Sequence, residues 1–261
     1  MSSALDFNED VAKGLERLYQ TPDVLGQRSQ VIQALQLCPG ERVLDVGIGP
    51  GLLSYDLAAT VGEKGRVAGI DASEPMVSMT RARCAEQPWT EFSIADATKL
   101  PFDDGSFDAV VSTQVYEYVP DIAMALAETF RVLRAGGRIV ILDTDWDSVV
   151  WNTSDRARLR RVMEAWDEHL HDPHLPATLG RKLETAGFRV QRRDVIPIVN
   201  ASYNPHCYSF GILFAIQSFV AGRRGVTREE AEAWGADLRA LGEAGEYFFS
   251  INRYLFGAVK P

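Results

Sequence analysis

Between residues 40 and 142, short apolar runs alternate with segments whose apolar residues recur every three or four positions. The runs are RVLDV (42–46), RVAGI (66–70), TEFSI (90–94), DAVVS (108–112) and RIVIL (138–142). They lack the polar alternation of a half-exposed strand, which is the pattern of strands buried on both faces. Among the intervening segments, SEPMVSMTRARCAEQ opens with Ser73 at an N-cap position and places Glu74 and Pro75 in the first turn. DIAMALAETFRVLRAGG sets Ile122, Leu126, Phe130 and Leu133 on one face and predicts a helix stop at Gly136–Gly137. This cadence predicts an α/β fold, doubly wound, with a mostly parallel sheet covered by helices on both faces.

The flanks read differently. Two helices are predicted before the first strand, over 8–20 and 22–37, and two more over 154–171 and in LPATLGRKLETAGF. Longer apolar strands follow over 188–198 and 247–259. The segment 203–245 reads as helical, with a capping box at Thr227 and Glu230 followed by Ala231, Trp234, Leu238 and Leu241. Its first helix is apolar nearly all round (Phe210, Ile212, Leu213, Phe214, Ile216, Phe219), so it is expected either to be buried or to face an apolar ligand. We read it as a lid over the strand ends, with core extension or a homodimer contact as the alternatives. No Pro/Ser-rich linker interrupts the chain. The expected organisation is one domain: an N-terminal helical cap (1–39), a core (40–200 and 246–261) and a helical insertion (201–245).

Composition narrows the function. At 261 residues and 46% hydrophobic the chain can bury a sizeable core. A net charge of -9 removes whole-molecule attraction to phosphate and argues against nucleic acid as partner. The three cysteines, Cys38, Cys84 and Cys207, are scattered and suit a reducing cytoplasm more than a disulfide framework or a zinc site. The first residues, MSSALDFNEDVAKG, are too polar for a signal peptide, and the longest apolar stretch (207–221) is too short and mixed to span a membrane.

The chemistry centres on VLDVGIGPG, residues 43–51. A Gly-rich turn after the first strand of a doubly wound sheet is where nucleotide cofactors meet bare backbone. A dinucleotide site wants G-x-G-x-x-G. Here the third glycine arrives one residue early, Pro50 removes an amide, and Asp45 precedes the turn with no basic residue in it. The pattern suits a zwitterionic or cationic ligand, and a NAD-dependent oxidoreductase is the disfavoured alternative.

The stretch resembles the first motif of class I S-adenosylmethionine-dependent methyltransferases. VAGIDASEPMV (67–77), IADATKLPFDDGSFDAVVS (94–112), VYEYVPD (115–121) and RVLRAGGRIVI (131–141) resemble the family's later motifs in order and spacing, over about 100 residues. The subgroup it looks most like is that of the ubiquinone/menaquinone-biosynthesis C-methyltransferases. The resemblance implies a Rossmann-like, seven-stranded sheet with an antiparallel last strand. It implies methyl transfer from S-adenosylmethionine to a small, partly apolar acceptor, with S-adenosylhomocysteine as product. A protein of this fold with another reaction or none is the second alternative.

The family's cofactor contacts carry over onto this chain one by one. Gly47 and Gly49 form the turn, and Asp71 beside Ala72 takes the ribose hydroxyls. Asp96 and Ala97 meet the adenine, and Met76 lies against its face. Carbonyls near Thr113 and Gln114 take the ammonium, while Tyr19 and Arg28 sit on the N-terminal helices that cap the cofactor, with Arg28 pairing with the methionine carboxylate. Many relatives carry a histidine where Tyr118 stands, so one obvious base is missing. Candidates for acting on the acceptor are Tyr116, Tyr203 and Asp145. His169, His171 and His174 read as a solvated helix end, and no metal site is expected.

Overall fold

A computed structural model describes residues 9–261. The polar N-terminal stretch and the expected helix start at residue 8 lie outside the described residues. Helices α1 (Glu9–Leu18) and α2 (Pro22–Leu35) precede β1 (Arg42–Val46). The alternating part then runs α3 (Leu52–Val61), β2 (Arg66–Asp71), α4 (Glu74–Arg83), β3 (Thr90–Ile94), β4 (Phe107–Thr113), α5 (Ile122–Val132) and β5 (Leu133–Thr144). After it come β6 (Val150–Trp151), α6 (Arg156–Trp166), α7 (Pro176–Thr185), β7 (Arg189–Asn200), α8 (Tyr208–Val220), α9 (Arg228–Glu243) and β8 (Phe249–Val259).

The eight strands form one sheet, ordered β3-β2-β1-β4-β5-β8-β6, with β7 also paired to β8. Strands β1 to β5 are parallel, and β8 runs antiparallel to β5, β6 and β7. The eighth strand relative to expectation is the two-residue β6. The predicted glycine stop differs as well. α5 ends at Val132, and Gly136–Gly137 lie inside β5, where a Cβ on Gly137 would meet the Arg134 carbonyl oxygen at 2.8 Å. The glycines bend a strand there instead of ending a helix.

Period-two alternation explains why the central runs are apolar throughout. On β4 and β5, Val110, Ile139 and Ile141 pack towards Leu126, Leu179 and Leu183 of α5 and α7. Their neighbours Ala109, Val111, Val140 and Leu142 pack towards Val31, Leu35 and Leu57 of α2 and α3 on the other face. A third core joins α6, α8, α9 and the start of β8 around Trp146, Trp151, Trp166 and Trp234.

The helical insertion belongs to this third core. Thr227 caps α9 by accepting from the Glu230 amide at 3.1 Å, as the capping box predicts. On α8, Ile212, Leu213 and Ile216 are buried, and a Cβ on Gly211 would meet Leu18 of α1 at 2.7 Å. The apolar helix therefore extends the core and braces α1.

His169 sits in the same core, not on a solvated helix end. Its ring stacks on Trp166 at 3.7 Å, with Trp146 and Phe219 edge-on. Burial holds the imidazole neutral, with its pKa lowered to about 3. The unfolded chain binds a proton near pH 6.5 that the native chain refuses. Stability from this group is complete above that pH and is lost as pH falls towards 3. Asp45, pushed up to about 7 by burial, acts in the opposite sense over the same window, so the comparison must be between variants. Relative to His169→Phe, the wild type should lose about 1.4 kcal/mol per pH unit between pH 6 and 4, read from denaturant titrations at each pH. A pH-independent difference would mean that His169 titrates freely in the native state.

Candidate functional site

Strand register brings distant residues to one rim. Val46 at the end of β1 pairs with Ile70 of β2 and Ser112 of β4, and Asp71 pairs with Ile94 of β3. Gly47, Asp71, Ala95 and Thr113 therefore emerge side by side at the carboxyl edge, where open α/β sheets bind ligands. A cavity of about 670 Å³ opens along this rim, within the size range of cofactor sites.

The three glycines of the turn are there for different reasons. A Cβ on Gly47 would meet Val115 Cγ2 at 2.2 Å, and one on Gly51 would meet Thr80 Oγ1 at 2.7 Å. Gly49, at φ +52°, would meet nothing within 4 Å, so its bare face looks into the cavity. The Gly49 amide donates to Asp71 Oδ2 at 2.9 Å, while the Ser73 amide donates to Asp71 Oδ1 at 2.9 Å. Asp71 is thus anchored through both oxygens with lone pairs to spare, and burial raises its pKa above the usual carboxylate range. Asp45 lies behind the turn and accepts from Ser54 Oγ at 2.6 Å.

All eleven residues expected to contact the cofactor line this one cavity: Tyr19, Arg28, Gly47, Gly49, Asp71, Ala72, Met76, Asp96, Ala97, Thr113 and Gln114. Asp96 also closes its own turn, accepting from the Thr98 amide and hydroxyl at 2.7 Å each, and these bonds lower its pKa. Arg28 donates to Asp56 Oδ2 at 2.7 Å and to the Tyr19 carbonyl at 3.3 Å. Gln114 holds a left-handed backbone at φ +57°. Its side chain is tied to Thr144 Oγ1 at 2.5 Å, which fixes the end of β4 against β5.

The three residues expected to act on the acceptor lie elsewhere. Tyr116 is 1% exposed, in the core against α5, with its hydroxyl 2.7 Å from Thr129 Oγ1. Tyr203 packs against Phe210 and Tyr247 beside α9. Asp145 pairs with His174 Nδ1 at 3.1 Å, away from the cavity lining. Burial opposes protonation of His174, but Asp145 and Asp147 outweigh it and raise its pKa. Asp145, Asp147 and His174 hold their donor atoms within 4.8 Å of one another, with His174 Nδ1 paired to both carboxylates. No residue of 201–245 lines the cavity among the described residues; the insertion lies behind lining residues, with Tyr208 of α8 against Arg253.

Among the lining residues that the sequence reading gave no role are the polar pair Gln27 and Arg253. Arg253 is 1% exposed; its Nη1 donates to Gln27 Oε1, and its guanidinium lies 4.7 Å over the Tyr208 ring. A signal was present: Phe249, Ile251, Arg253 and Leu255 occupy the buried phase of β8, so a cation stands at an apolar position. Behind it lie Glu117 and Asp143, both buried. Burial and each other's charge hold the Glu117 carboxyl well above its usual range, against the pull of Arg253. Burial likewise raises Asp143.

The chain matches the methyltransferase domain family over residues 44–141. It is 38% identical over 196 residues to an uncharacterised 37.1 kDa protein of a Streptomyces fradiae transposon, covering 73% of this chain and 55% of that one. It is 36% identical over 121 residues to the demethylmenaquinone methyltransferase of Desulfitobacterium hafniense, covering 45% and 48%. The chain thus spans about half the length of the curated relatives it matches. The fold is that of an S-adenosylmethionine-dependent methyltransferase structure from Aquifex aeolicus, with a TM-score of 0.57, 20% identity and coverage of 95% and 99%. No helix among the described residues is long and apolar enough to cross a membrane. Residues 44–141 carry the methyltransferase domain, and with the strand order and the relatives named they support a class I S-adenosylmethionine-dependent methyltransferase of the quinone C-methyltransferase-like subgroup.

Proposed function

We propose that this protein catalyses methyl transfer from S-adenosylmethionine to a small, partly apolar or aromatic acceptor by in-line displacement. The observation that carries the reading is the glycine turn: Gly49 presents bare backbone to the cavity beside an Asp71 carboxylate anchored by two amides. The cofactor when bound supplies an electrophilic methyl group on a sulfonium that is its own leaving group. The chain supplies binding and alignment. Asp71 takes the ribose hydroxyls, with Ala72 beside it. Asp96 and the Ala97 amide meet the adenine edge, and Met76 its face. Main-chain carbonyls of Gly47, Thr113 and Gln114 receive the ammonium, and Tyr19 with Arg28 closes the carboxylate end. The apolar remainder of the lining, with Leu15, Val24 and Val119, excludes water from the transfer. Kinship with a demethylmenaquinone methyltransferase supports an aromatic acceptor.

Calorimetry with S-adenosylhomocysteine and with NAD tests the cofactor, and mass spectrometry of an aromatic acceptor panel with S-adenosylmethionine tests the transfer. The expected result is micromolar or tighter binding of S-adenosylhomocysteine, none of NAD, and a mass gain of one methyl group on an acceptor. Binding of NAD instead would overturn the reading, and binding without turnover would favour another reaction on the same fold.

A further inference from the structure

We propose that Arg253 is an acceptor-recognition residue: its guanidinium receives an anionic oxygen carried by an otherwise apolar acceptor. The inference rests on the methyl-transfer reading above, whose cofactor it takes as given. Strand order separates the two halves of the cavity. The residues that suit the cofactor occupy the ends of β3, β2, β1 and β4, in that spatial order, with Thr113 and Gln114 last. Arg253 stands on β8, two positions beyond β4 across β5, and its register partner there is Thr144. At the usual strand spacing this is roughly 10 Å further along the rim, past the end that holds the ammonium. The acceptor must approach from that side.

The residue is also electrically incomplete. A guanidinium buried this deeply ordinarily has a carboxylate against it. Among the described residues no carboxylate lies within ion-pair distance of Arg253, and its Nε has no hydrogen-bond partner. Gln27 occupies one amino group, and Tyr208 hydrogen-bonds the guanidinium and lies against its plane, so the side chain is held in place at the cavity wall. The cavity lining also includes apolar Leu15, Val24, Val119 and Pro120, with the Tyr118 ring. A flat apolar body with one charged oxygen, carboxylate or phenolate, matches this end of the cavity.

The test uses the full chain saturated with S-adenosylhomocysteine and three probes of one shape: 2-naphthoate, 2-naphthol and the neutral 2-naphthamide. Calorimetry should show naphthoate, or naphthol at a pH that ionises it, binding roughly tenfold or more tightly than the amide. Which of the two is preferred identifies the oxygen as carboxylate or phenolate. Arg253→Met should erase the preference and Arg253→Lys should keep part of it, while the dissociation constant for S-adenosylhomocysteine stays within about twofold of wild type. Absence of a preference in the wild type overturns the proposal even if Arg253→Met fails to fold. So does a preference that survives in Arg253→Met. A tenfold loss of S-adenosylhomocysteine affinity in that variant would assign Arg253 to the cofactor's carboxylate and equally overturn it. Failure of the wild type to bind S-adenosylhomocysteine at all would instead sink the methyl-transfer reading.

Discussion

Asp71→Ala should lower the affinity for S-adenosylhomocysteine by about tenfold to a hundredfold while the protein stays folded. Two losses combine. The ribose hydroxyls lose a charged acceptor, and a charge-assisted hydrogen bond contributes about 1.5–3 kcal/mol. The Gly49 and Ser73 amides also lose the oxygens they donate to at 2.9 Å each, so the glycine turn loosens against β2. Asp71→Asn should be little better. An amide side chain must set its NH2 against one of the two backbone N–H groups and offers one acceptor where the carboxylate offers two. Calorimetry measures the first effect and thermal melts the second. A dissociation constant unchanged in Asp71→Ala would remove this residue from the cofactor site.

Gly47 and Gly49 should fail in opposite ways. Gly47→Ala forces a methyl group to within 2.2 Å of Val115 Cγ2 at φ +77°, so it must both displace a packed side chain and hold a left-handed backbone. Overpacking costs about 1–3 kcal/mol and the backbone a further 1–2 kcal/mol, so stability should fall by roughly 2–4 kcal/mol. Gly49→Ala bears only the backbone cost of about 1–2 kcal/mol, since nothing lies within 4 Å of the new methyl. That methyl enters the cavity instead, so this variant should melt only several degrees below the wild type and bind S-adenosylhomocysteine at least tenfold more weakly. Gly49→Val should abolish binding. Denaturant titration and calorimetry on the same samples separate the two effects. Wild-type affinity in Gly49→Ala would show that the turn does not face the cofactor.

These two predictions use residues that could be read from the chain because their signals are short-range. β1, β2, β4 and β5 announce themselves as apolar runs because both faces of a parallel strand are covered, whatever covers them. The glycine turn, the acid ending β2 and the Asp96 turn are local backbone chemistry, and their spacing survives any detail of packing. The half of the cavity proposed for the cofactor follows from them.

The half of the cavity proposed for the acceptor does not. Tyr116 and Tyr118 are two residues apart in one short turn, yet one points into the core and the other into the cavity, and only the packing of α5 decides which. The apolar all-round helix α8 fits a lid or a core equally well from its composition. The tryptophans of α6, α9 and the β5–β6 connection make it core. His169 becomes a neutral buried ring because Trp166 and Phe219 close on it. Arg253 meets Gln27 across 226 positions of sequence. Periodicity and turn chemistry are written within a few residues and so belong to the sequence by itself. Which side chain of a strand end meets ligand, core or counter-charge depends on elements that only the folded chain brings together.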